Sequence, residues 1–242
     1  MEAIKIESLT KTYRDTVAVD KLSLTVNEGE VFSLLGVNGA GKTTTIKMLS
    51  CLTKPDSGNA FLLGKSIIND TSAVKSIIGV SPQQTAVAHG LTVWENLELM
   101  CGAYSFSKEK TQEKISELTK LLELEKVLNK KASKLSGGYQ RRLSIAMALV
   151  SEPKILFLDE PTLGLDVIAR SDLWDIIRSL KKKTTVILTT HYMEEAEALS
   201  DRIAIMKDGA LLICDTAEKI KEKAGTDKFE EAFIRIVKGA RQ

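Results

Sequence analysis

The sequence predicts an α/β protein with a mainly parallel sheet, an N-terminal antiparallel β layer and an inserted α-helical subdomain. Three observations predict this class. Short, continuously apolar runs such as VFSLLG and KILFLD are typical of strands buried on both faces of a parallel sheet. Helical periodicity with many Lys and Glu residues fills the stretch from about Thr92 to Leu149. The first third of the chain instead alternates apolar and polar residues, which is typical of half-buried antiparallel strands.

The antiparallel layer comes first in the chain. Ile4–Leu9 and Leu22–Val26 alternate apolar and polar residues, as strands with one buried face do. The turn sequence NEGE then leads into VFSLLG, which we interpret as the first strand of the parallel sheet. The runs GNAFLLG and IIGVSP predict two further short strands.

Helices are predicted in the insertion and between the later strands, where apolar residues recur with a helical period. After Pro153 the buried strands KILFLD, TTVILTT and RIAIMKDG return, and their alternation with helices predicts a parallel sheet. The predicted helices are Val93–Met100, Lys108–Leu128, Tyr139–Val150, Val167–Leu180, Tyr192–Leu199 and two short ones within Thr216–Gln242.

These elements predict a single domain over residues 1–242, because a chain of this length can bury one large core. We expect residues 1–85 and 151–215 to form the core together with the antiparallel layer. Residues 86–150 are expected to form the helical subdomain, and residues 216–242 a C-terminal helical tail.

The composition argues against several classes of function. The chain has 34 basic and 32 acidic residues, and a net charge of +2 gives no reason to expect a nucleic-acid partner. The cysteines Cys51, Cys101 and Cys214 lack metal-ligand spacing, so we expect reduced thiols rather than a zinc site or a disulfide scaffold. No apolar run approaches the roughly 18 residues that cross a membrane, so membrane-spanning helices would have to come from another chain.

A phosphate-binding loop is the first motif that carries chemistry. GVNGAGKTT fits the pattern G-x-x-x-x-G-K-[ST] between a predicted buried strand and a helix, as a P-loop NTPase core requires. Glycines let backbone amides point at phosphate oxygens, and the helix start adds positive potential. We expect Lys42 to reach the β- and γ-phosphates of ATP or GTP and Thr43 to ligate magnesium. The residues expected to hold the nucleotide are Gly36, Asn38, Gly39, Ala40, Gly41, Lys42, Thr43 and Thr44.

Two acids and a histidine follow buried strands at the same predicted edge of the sheet. Ligands of open α/β sheets bind beyond the carboxyl ends of the strands, where Asp159 and Glu160 stand. We expect Asp159 to hold magnesium and Glu160 to orient or deprotonate the attacking water. His191 follows TTVILTT and is expected to contact the γ-phosphate or to hold the base in place. Alternatively, the two acids could simply begin a Pro-containing turn, and the histidine could simply start a helix. The phosphate loop elsewhere in the chain favours the catalytic interpretation.

Taken together, these motifs resemble the nucleotide-binding subunits of ATP-binding-cassette (ABC) transporters over nearly the whole chain. LSGGYQRR, from Leu135 to Arg142, is similar to the family's signature sequence, GVSPQQ to its glutamine loop, and LGLD to a loop that crosses to the partner subunit. The resemblance implies ATP and magnesium as ligands, with Tyr13 stacked on adenine. It also implies that Gln83 contacts magnesium and the attacking water, with Gln84 as the alternative.

The resemblance further implies a head-to-tail dimer, in which each ATP lies between one subunit's phosphate loop and the other's signature. Ser136, Gly137, Gly138 and Asp166 would then contact the partner's nucleotide. The sequence is compatible with this role, because Ser136 precedes a predicted helix and its hydroxyl and the following amides can bind an anion. A plain helix cap followed by a flexible glycine pair is the alternative.

Several features resemble the branch that serves drug, lipid and polysaccharide exporters: THYMEEAEALSDRIAIMKDG, the tail KFEEAFIRIV and PTLGLD. The resemblance implies an ATPase on the cytoplasmic face of the cell membrane, paired with membrane-spanning permease subunits and a second identical or paralogous ATPase subunit. One alternative is a soluble ABC ATPase of the iron–sulfur assembly type. The other is a non-enzymatic nucleotide sensor, and the presence of Glu160 and His191 argues against the sensor. Trp94 is expected either to line the docking groove or to pack in the core.

Overall fold

The computed structural model describes residues 1–181 and 183–239, so residues 240–242 of the predicted tail lie outside the described part. Its strands form two sheets. The strands are β1 (Glu2–Tyr13), β2 (Thr16–Asn27), β3 (Val31–Leu35), β4 (Ser57–Leu62), β5 (Lys65–Ser66), β6 (Ile78–Ser81), β7 (Ile155–Asp159), β8 (Thr185–Thr190), β9 (Arg202–Lys207) and β10 (Ala210–Asp215). The helices are α1 (Lys42–Leu49), α2 (Thr71–Lys75), α3 (Val93–Ala103), α4 (Lys108–Leu121), α5 (Gly137–Leu149), α6 (Val167–Leu180), α7 (Met193–Leu199), α8 (Ala217–Ala224) and α9 (Phe229–Gly239).

The smaller sheet is antiparallel and has the order β2-β1-β4-β5. It contains the predicted N-terminal layer, but β1 and β2 extend beyond the predicted Ile4–Leu9 and Leu22–Val26. The pairing of β1 with β2 shifts register between Ile6 and Leu9, and Ser8 has a φ of +48°. A bulge of this kind interrupts the alternation of apolar and polar residues, which is why the pattern finds only part of each strand.

The larger sheet has the order β10-β9-β3-β8-β7-β6, and the five strands from β9 to β6 run parallel. Every residue of β3, β7 and β8 is buried, which accounts for their continuously apolar sequences. The predicted α/β class with an antiparallel layer is therefore confirmed. The sequence pattern does not identify β10, because this edge strand is only half-buried along its whole length and lacks a buried face.

The segment between β6 and β7 contains α3, α4 and α5. The prediction of one helix over Lys108–Leu128 is wrong at its end, because α4 stops at Leu121 and a short 3₁₀ turn follows at Glu125–Val127. Glu123 has a φ of +53°, and the N–H of Leu124 donates to the carbonyl of Thr119, 2.8 Å away. This left-handed termination turns the chain so that Leu124 is buried. Across the described residues, no helix has the length and apolar character needed to span a bilayer.

The register of the parallel sheet brings three loops to one edge. Leu35 at the end of β3 pairs with Thr190 at the end of β8, and Asp159 at the end of β7 pairs with Thr189. The segments that follow these strands therefore begin side by side. Phe32 and Phe157, on β3 and β7, are fully buried in a core shared with the antiparallel sheet, which fixes the position of that edge.

Candidate active site

The loop that connects β3 to α1 is pressed against two neighbouring strands. Gly41 has a φ of +98°, and a Cβ atom at this position would lie 2.3 Å from the carbonyl oxygen of Ala18 on β2. A Cβ atom at Gly36 would lie 2.4 Å from the carbonyl oxygen of Met206 on β9. Both positions require glycine, because any side chain would collide with backbone atoms. The close packing fixes the loop as a cradle at the N-terminus of α1, the arrangement that binds phosphate.

Lys42 is buried and its ammonium group folds over this cradle. Its Nζ donates to the carbonyl oxygens of Gly36 at 2.7 Å and Val37 at 3.2 Å, and lies 3.5 Å from Oε1 of Glu160. Burial lowers the pKa of Lys42, and the nearby Glu160 carboxylate opposes that shift. A phosphate would supply the negative charge that this buried ammonium requires. The cleft is lined by Thr16, Ala18, Asn38, Gly39, Ala40, Gly41, Lys42, Thr43, Thr44, Gln83 and Glu160.

Asp159 faces the first turn of α1. Its Oδ1 accepts a hydrogen bond from the Thr43 hydroxyl at 3.1 Å and another from the Thr189 hydroxyl at 2.5 Å. A hydroxyl and a carboxylate in contact at a phosphate cradle are oxygen ligands of the kind magnesium prefers, completed by substrate phosphates and water. The described residues contain no group of three or more His, Cys, Asp or Glu side chains that could hold a metal ion.

Glu160 occupies a left-handed turn directly after β7, with a φ of +50°. Its backbone N–H donates to the hydroxyl of Thr189 at 3.0 Å, and this bond holds the turn against β8. Its carboxylate is buried and accepts from Nδ1 of His191 at 2.7 Å. The turn therefore directs Glu160 toward Lys42 and His191, while Asp159 contacts Thr43. Strand alternation predicts separate directions for the two acids, but the left-handed turn is what provides them.

The signature segment lies on a different surface of the same chain. Ser136 caps α5 and accepts from the backbone N–H of Tyr139 at 3.5 Å, and Asp166 caps α6 and accepts from that of Ala169 at 2.9 Å. A Cβ atom at Gly138 would lie 3.2 Å from that of Ala169, so the starts of α5 and α6 are adjacent. In the described chain, none of the predicted trans residues lines the cleft of the phosphate loop.

Comparisons with known proteins identify the family. A model described as ABC transporter matches residues 19–163. The doxorubicin resistance ATP-binding protein DrrA of Mycobacterium tuberculosis is 40% identical over 239 residues, which cover 98% of this chain and 72% of DrrA. The chain belongs to the ABC transporter family. The predicted resemblance is confirmed, and with it the assignment as an ATPase domain that uses ATP and magnesium.

Two further relatives show how this ABC domain occurs elsewhere. The phospholipid-transporting ATPase ABCA3 of Homo sapiens is 41% identical over 226 residues, 92% of this chain but 13% of ABCA3. The chain thus spans about an eighth of that protein's length. The solved dimeric structure of the ATP-binding cassette MJ0796, bound to ADP and Pi, is 31% identical with a TM-score of 0.79, and covers 88% of this chain and 98% of that chain. These names give no support to the iron–sulfur assembly alternative.

The glutamine loop of this ABC domain reaches the cleft through Gln83. Gln83 lines the cleft, whereas Gln84 is not among its lining residues in the described chain. The backbone carbonyls of Pro82 and Gln83 each accept from the guanidinium of Arg141, both at 2.8 Å. Arg141 is buried in α5, so this bidentate contact ties the glutamine loop to the signature helix. Trp94 is half-buried and packs against the helical core.

Tyr13 ends β1 and is 45% exposed, so its ring is available for stacking. It pairs with Thr16, which lines the cleft, but Tyr13 itself is not among the residues that line the cleft in the described chain. The ammonium of Lys11 lies 5.5 Å from the centroid of the Tyr13 ring.

Sequence reasoning assigns no role to two residues that organise the site. Arg141 lies inside LSGGYQRR, and its place in that segment is the signal that could have drawn attention to it. Thr189 binds both Asp159 and the backbone of Glu160, which makes it the side chain that joins β8 to the two acids. Its signal is weaker, because threonine is common in strands and its partners Asp159 and Glu160 lie 30 and 29 residues away in the chain.

Proposed function

We propose that this chain is the ATP-hydrolysing subunit of a transporter that exports a substrate across the cell membrane. The observation that supports hydrolysis best is the buried carboxylate of Glu160, which lies between Lys42 and His191 at the mouth of the phosphate cradle. A buried acid with a cation on one side and an imidazole on the other is oriented for proton transfer. A nucleotide sensor has no need of such an acid.

The roles of the site residues follow from their positions. The amides of residues 38–44 and the ammonium of Lys42 bind the phosphates. Thr43, Asp159 and Gln83 would hold magnesium, which would supply positive charge to the phosphates. Glu160 orients the attacking water and accepts its proton. His191 fixes the carboxylate of Glu160 through Nδ1–H, and Nε2 can donate to a γ-phosphate oxygen when the imidazole carries a proton on both nitrogens. Tyr13 stacks on the adenine.

The site is completed by a second ATPase subunit, either a copy of this chain or a close paralogue. Ser136, Gly137, Gly138 and Asp166 lie on a surface apart from the chain's own cleft, so they would contact the nucleotide of the partner. The amides at the start of α5 supply donors for a phosphate there. ATP binding then closes the two subunits, and hydrolysis with product release reopens them.

Membrane-spanning permease subunits are the other proposed partners. ABC ATP-binding subunits work with membrane permease components, and the solved relative cbiO1 is described as part of the complex cbiONQ. Relatives named for drug resistance favour the exporter branch for this chain. We place the subunit on the cytoplasmic face of the membrane, with no nucleic-acid partner. Residues 1–85 and 151–215 form its core and 86–150 its signature subdomain, and the described residues 216–239 form its helical tail.

Two measurements test the proposal. The purified chain should hydrolyse ATP, and Lys42→Met should abolish nucleotide binding because the cradle loses its buried cation. Lys47→Met is the matched control, since Lys47 is an exposed lysine on the same helix and should leave hydrolysis intact. Affinity purification from solubilised membranes should recover a polytopic membrane protein with the chain. A soluble scaffold protein as the stable partner, or normal turnover by Lys42→Met, would contradict the proposal.

A further inference from the structure

Three side chains from two elements stack beside the catalytic carboxylate. The rings of His191 and Tyr192 have centroids 4.2 Å apart and are tilted by 39°. The guanidinium carbon of Arg170 lies 4.5 Å from the centroid of the Tyr192 ring. Contacts of these kinds are attractive and depend on the orientation of the rings. The stack therefore runs from Arg170 through Tyr192 to His191, whose Nδ1 reaches Glu160.

The stack connects two parts of the proposed active site. Arg170 lies in the first turns of α6, and its backbone N–H donates to the carbonyl of Asp166 at 3.0 Å. Tyr192 immediately precedes α7, and its backbone N–H donates to the hydroxyl of Thr190 at 2.9 Å. Asp166 belongs to the surface proposed to face the second subunit, whereas His191 belongs to the chain's own cleft edge. The side chains of Arg170 and Tyr192 connect the Asp166 surface to the cleft edge at His191.

Arg170 makes few other polar contacts in the described residues. Its Nε is buried and has no hydrogen-bond partner there. A buried donor left without an acceptor is unfavourable, and the contact of the guanidinium with the face of the Tyr192 ring offsets part of that cost. The side chain of Tyr192 is half-buried, so it holds a defined position without belonging to the core.

His191 requires such support. Its side chain is 30% exposed, and the bond to Glu160 constrains only one atom of the imidazole. A single hydrogen bond at Nδ1 limits rotation of the ring about its Cβ–Cγ bond but gives the face of the ring no support. Contact with the ring of Tyr192 restricts the plane of the imidazole and hence the direction of Nε2.

We propose that Tyr192 and Arg170 are positioning residues that hold the imidazole of His191 against Glu160 and link its orientation to the start of α6. The inference rests on the proposed catalytic roles of Glu160 and His191. Through these side chains, the loop at Asp166, which would meet the second subunit, is connected within one chain to the imidazole of His191, which would face the γ-phosphate. Movement of α6 on dimer closure would then change the orientation of His191 through this stack.

The test measures kcat and KM for ATP with magnesium in the full chain. Tyr192→Leu and Arg170→Met should each lower kcat about tenfold, equivalent to about 1.4 kcal/mol, while KM changes little. Tyr192→Phe keeps the aromatic ring, so its kcat should stay close to that of the wild type. The double variant Tyr192→Leu with Arg170→Met should be no slower than the slower single variant, because both substitutions break one stack.

Controls separate this inference from the proposed function. Lys110, on α4, makes a similar contact elsewhere in the chain: its ammonium lies 4.0 Å from the ring centroid of Phe106. Lys110→Met should therefore leave kcat unchanged. His191→Ala is the reference for full loss of the histidine; wild-type turnover in this variant would overturn the proposed role of His191. A lowered kcat in His191→Ala with a wild-type kcat in Tyr192→Leu would overturn the positioning role of the stack and leave the role of His191 intact. Additive losses of kcat in the double variant would have the same meaning. If Tyr192→Leu does not fold, Arg170→Met and Arg170→Lys carry the same comparison.

Discussion

Nδ1 of His191 lies 2.7 Å from Oε2 of Glu160, while Oε1 of the same carboxylate lies 3.5 Å from Nζ of Lys42. Each oxygen therefore has its own partner, and the carboxylate is held between them. Because Glu160 is only 6% exposed, few water molecules can compete for these oxygens. Lys42 donates most closely to two backbone carbonyls, so its longer contact with Glu160 leaves that acid able to accept a proton.

Glu160→Gln should lower kcat by a factor of about 10² or more, because an amide cannot accept the proton that a general base removes. The substitution keeps the size of the side chain, so the contact with His191 and the shape of the cleft should persist. ATP should therefore bind and remain bound, and the chain should accumulate as an ATP-bound dimer. Phosphate release and size-exclusion chromatography with ATP measure these two effects.

Glu194→Gln is the matched control for the charge change, since Glu194 is exposed on α7 and is not among the residues that line the phosphate-loop cleft in the described chain. It should hydrolyse ATP as the wild type does. Wild-type hydrolysis by Glu160→Gln would rule out Glu160 as the base.

Ser136→Arg should block dimer closure while the monomer still binds nucleotide. Ser136 is exposed at the start of α5, and the chain's own cleft is lined by other residues, so a large cation there should obstruct only the partner's nucleotide. Nucleotide affinity of the monomer and the dependence of hydrolysis on protein concentration measure the two effects separately.

Ser107→Arg provides the control for this substitution. Ser107 is also an exposed helix cap, accepting from the backbone N–H of Lys110 at 3.2 Å at the start of α4. It should lower stability by a similar amount, about 1 kcal/mol for loss of a cap, and still permit closure. Loss of monomer binding in Ser136→Arg would show that the signature serves its own chain's site.

Glu195→Gln should change how stability depends on pH. Glu195 is fully buried, and its Oε1 accepts from the Thr162 hydroxyl at 2.8 Å and the indole N–H of Trp174 at 3.1 Å. Burial raises the pKa of Glu195, with a further contribution from the Glu160 carboxylate. The folded state therefore keeps a proton that the unfolded chain releases near the ordinary glutamate pKa of about 4.3.

The sign of the effect follows from proton linkage. Between the unfolded and the raised folded pKa, the native state binds more protons, so this residue's contribution to the free energy of unfolding falls as pH rises. Above the folded pKa the loss is complete and the slope vanishes. Glutamine has no proton to lose, so Glu195→Gln should gain stability relative to the wild type across that window. Urea titrations at several pH values measure the difference, and a pH-independent difference would contradict the prediction.

The sequence allows prediction of the cleft because its residues follow buried strands in a fixed order. Asp159 and His191 stand directly after apolar runs, and parallel pairing necessarily brings the ends of such runs to one edge. The phosphate loop, acids and histidine could therefore be placed without knowledge of any contact. The extra strand β10 was missed because a half-buried edge strand has no apolar face to detect.

Contacts between residues distant in the chain could not be predicted. The stack of Arg170 on Tyr192 and the bond from Arg141 to the glutamine loop join residues 22 or more positions apart, with no periodicity to indicate them. The end of α4 was misplaced for a related reason. Glu123 adopts a left-handed conformation that usually favours glycine, so the helix stops where the sequence offers no stop signal.

Gly41→Ala should destabilise the fold and disable the phosphate cradle. Its φ of +98° alone costs an L-residue roughly 1–2 kcal/mol. The new Cβ would also lie 2.3 Å from the Ala18 carbonyl oxygen, and overpacking of this kind costs about 1–3 kcal/mol more. Gly64→Ala is the control, because Gly64 has a φ of +76° with nothing within 4 Å of the added Cβ, so only the conformational cost applies. Chemical denaturation should show the larger loss for Gly41→Ala; equal losses would mean that β2 moves away from the loop without cost.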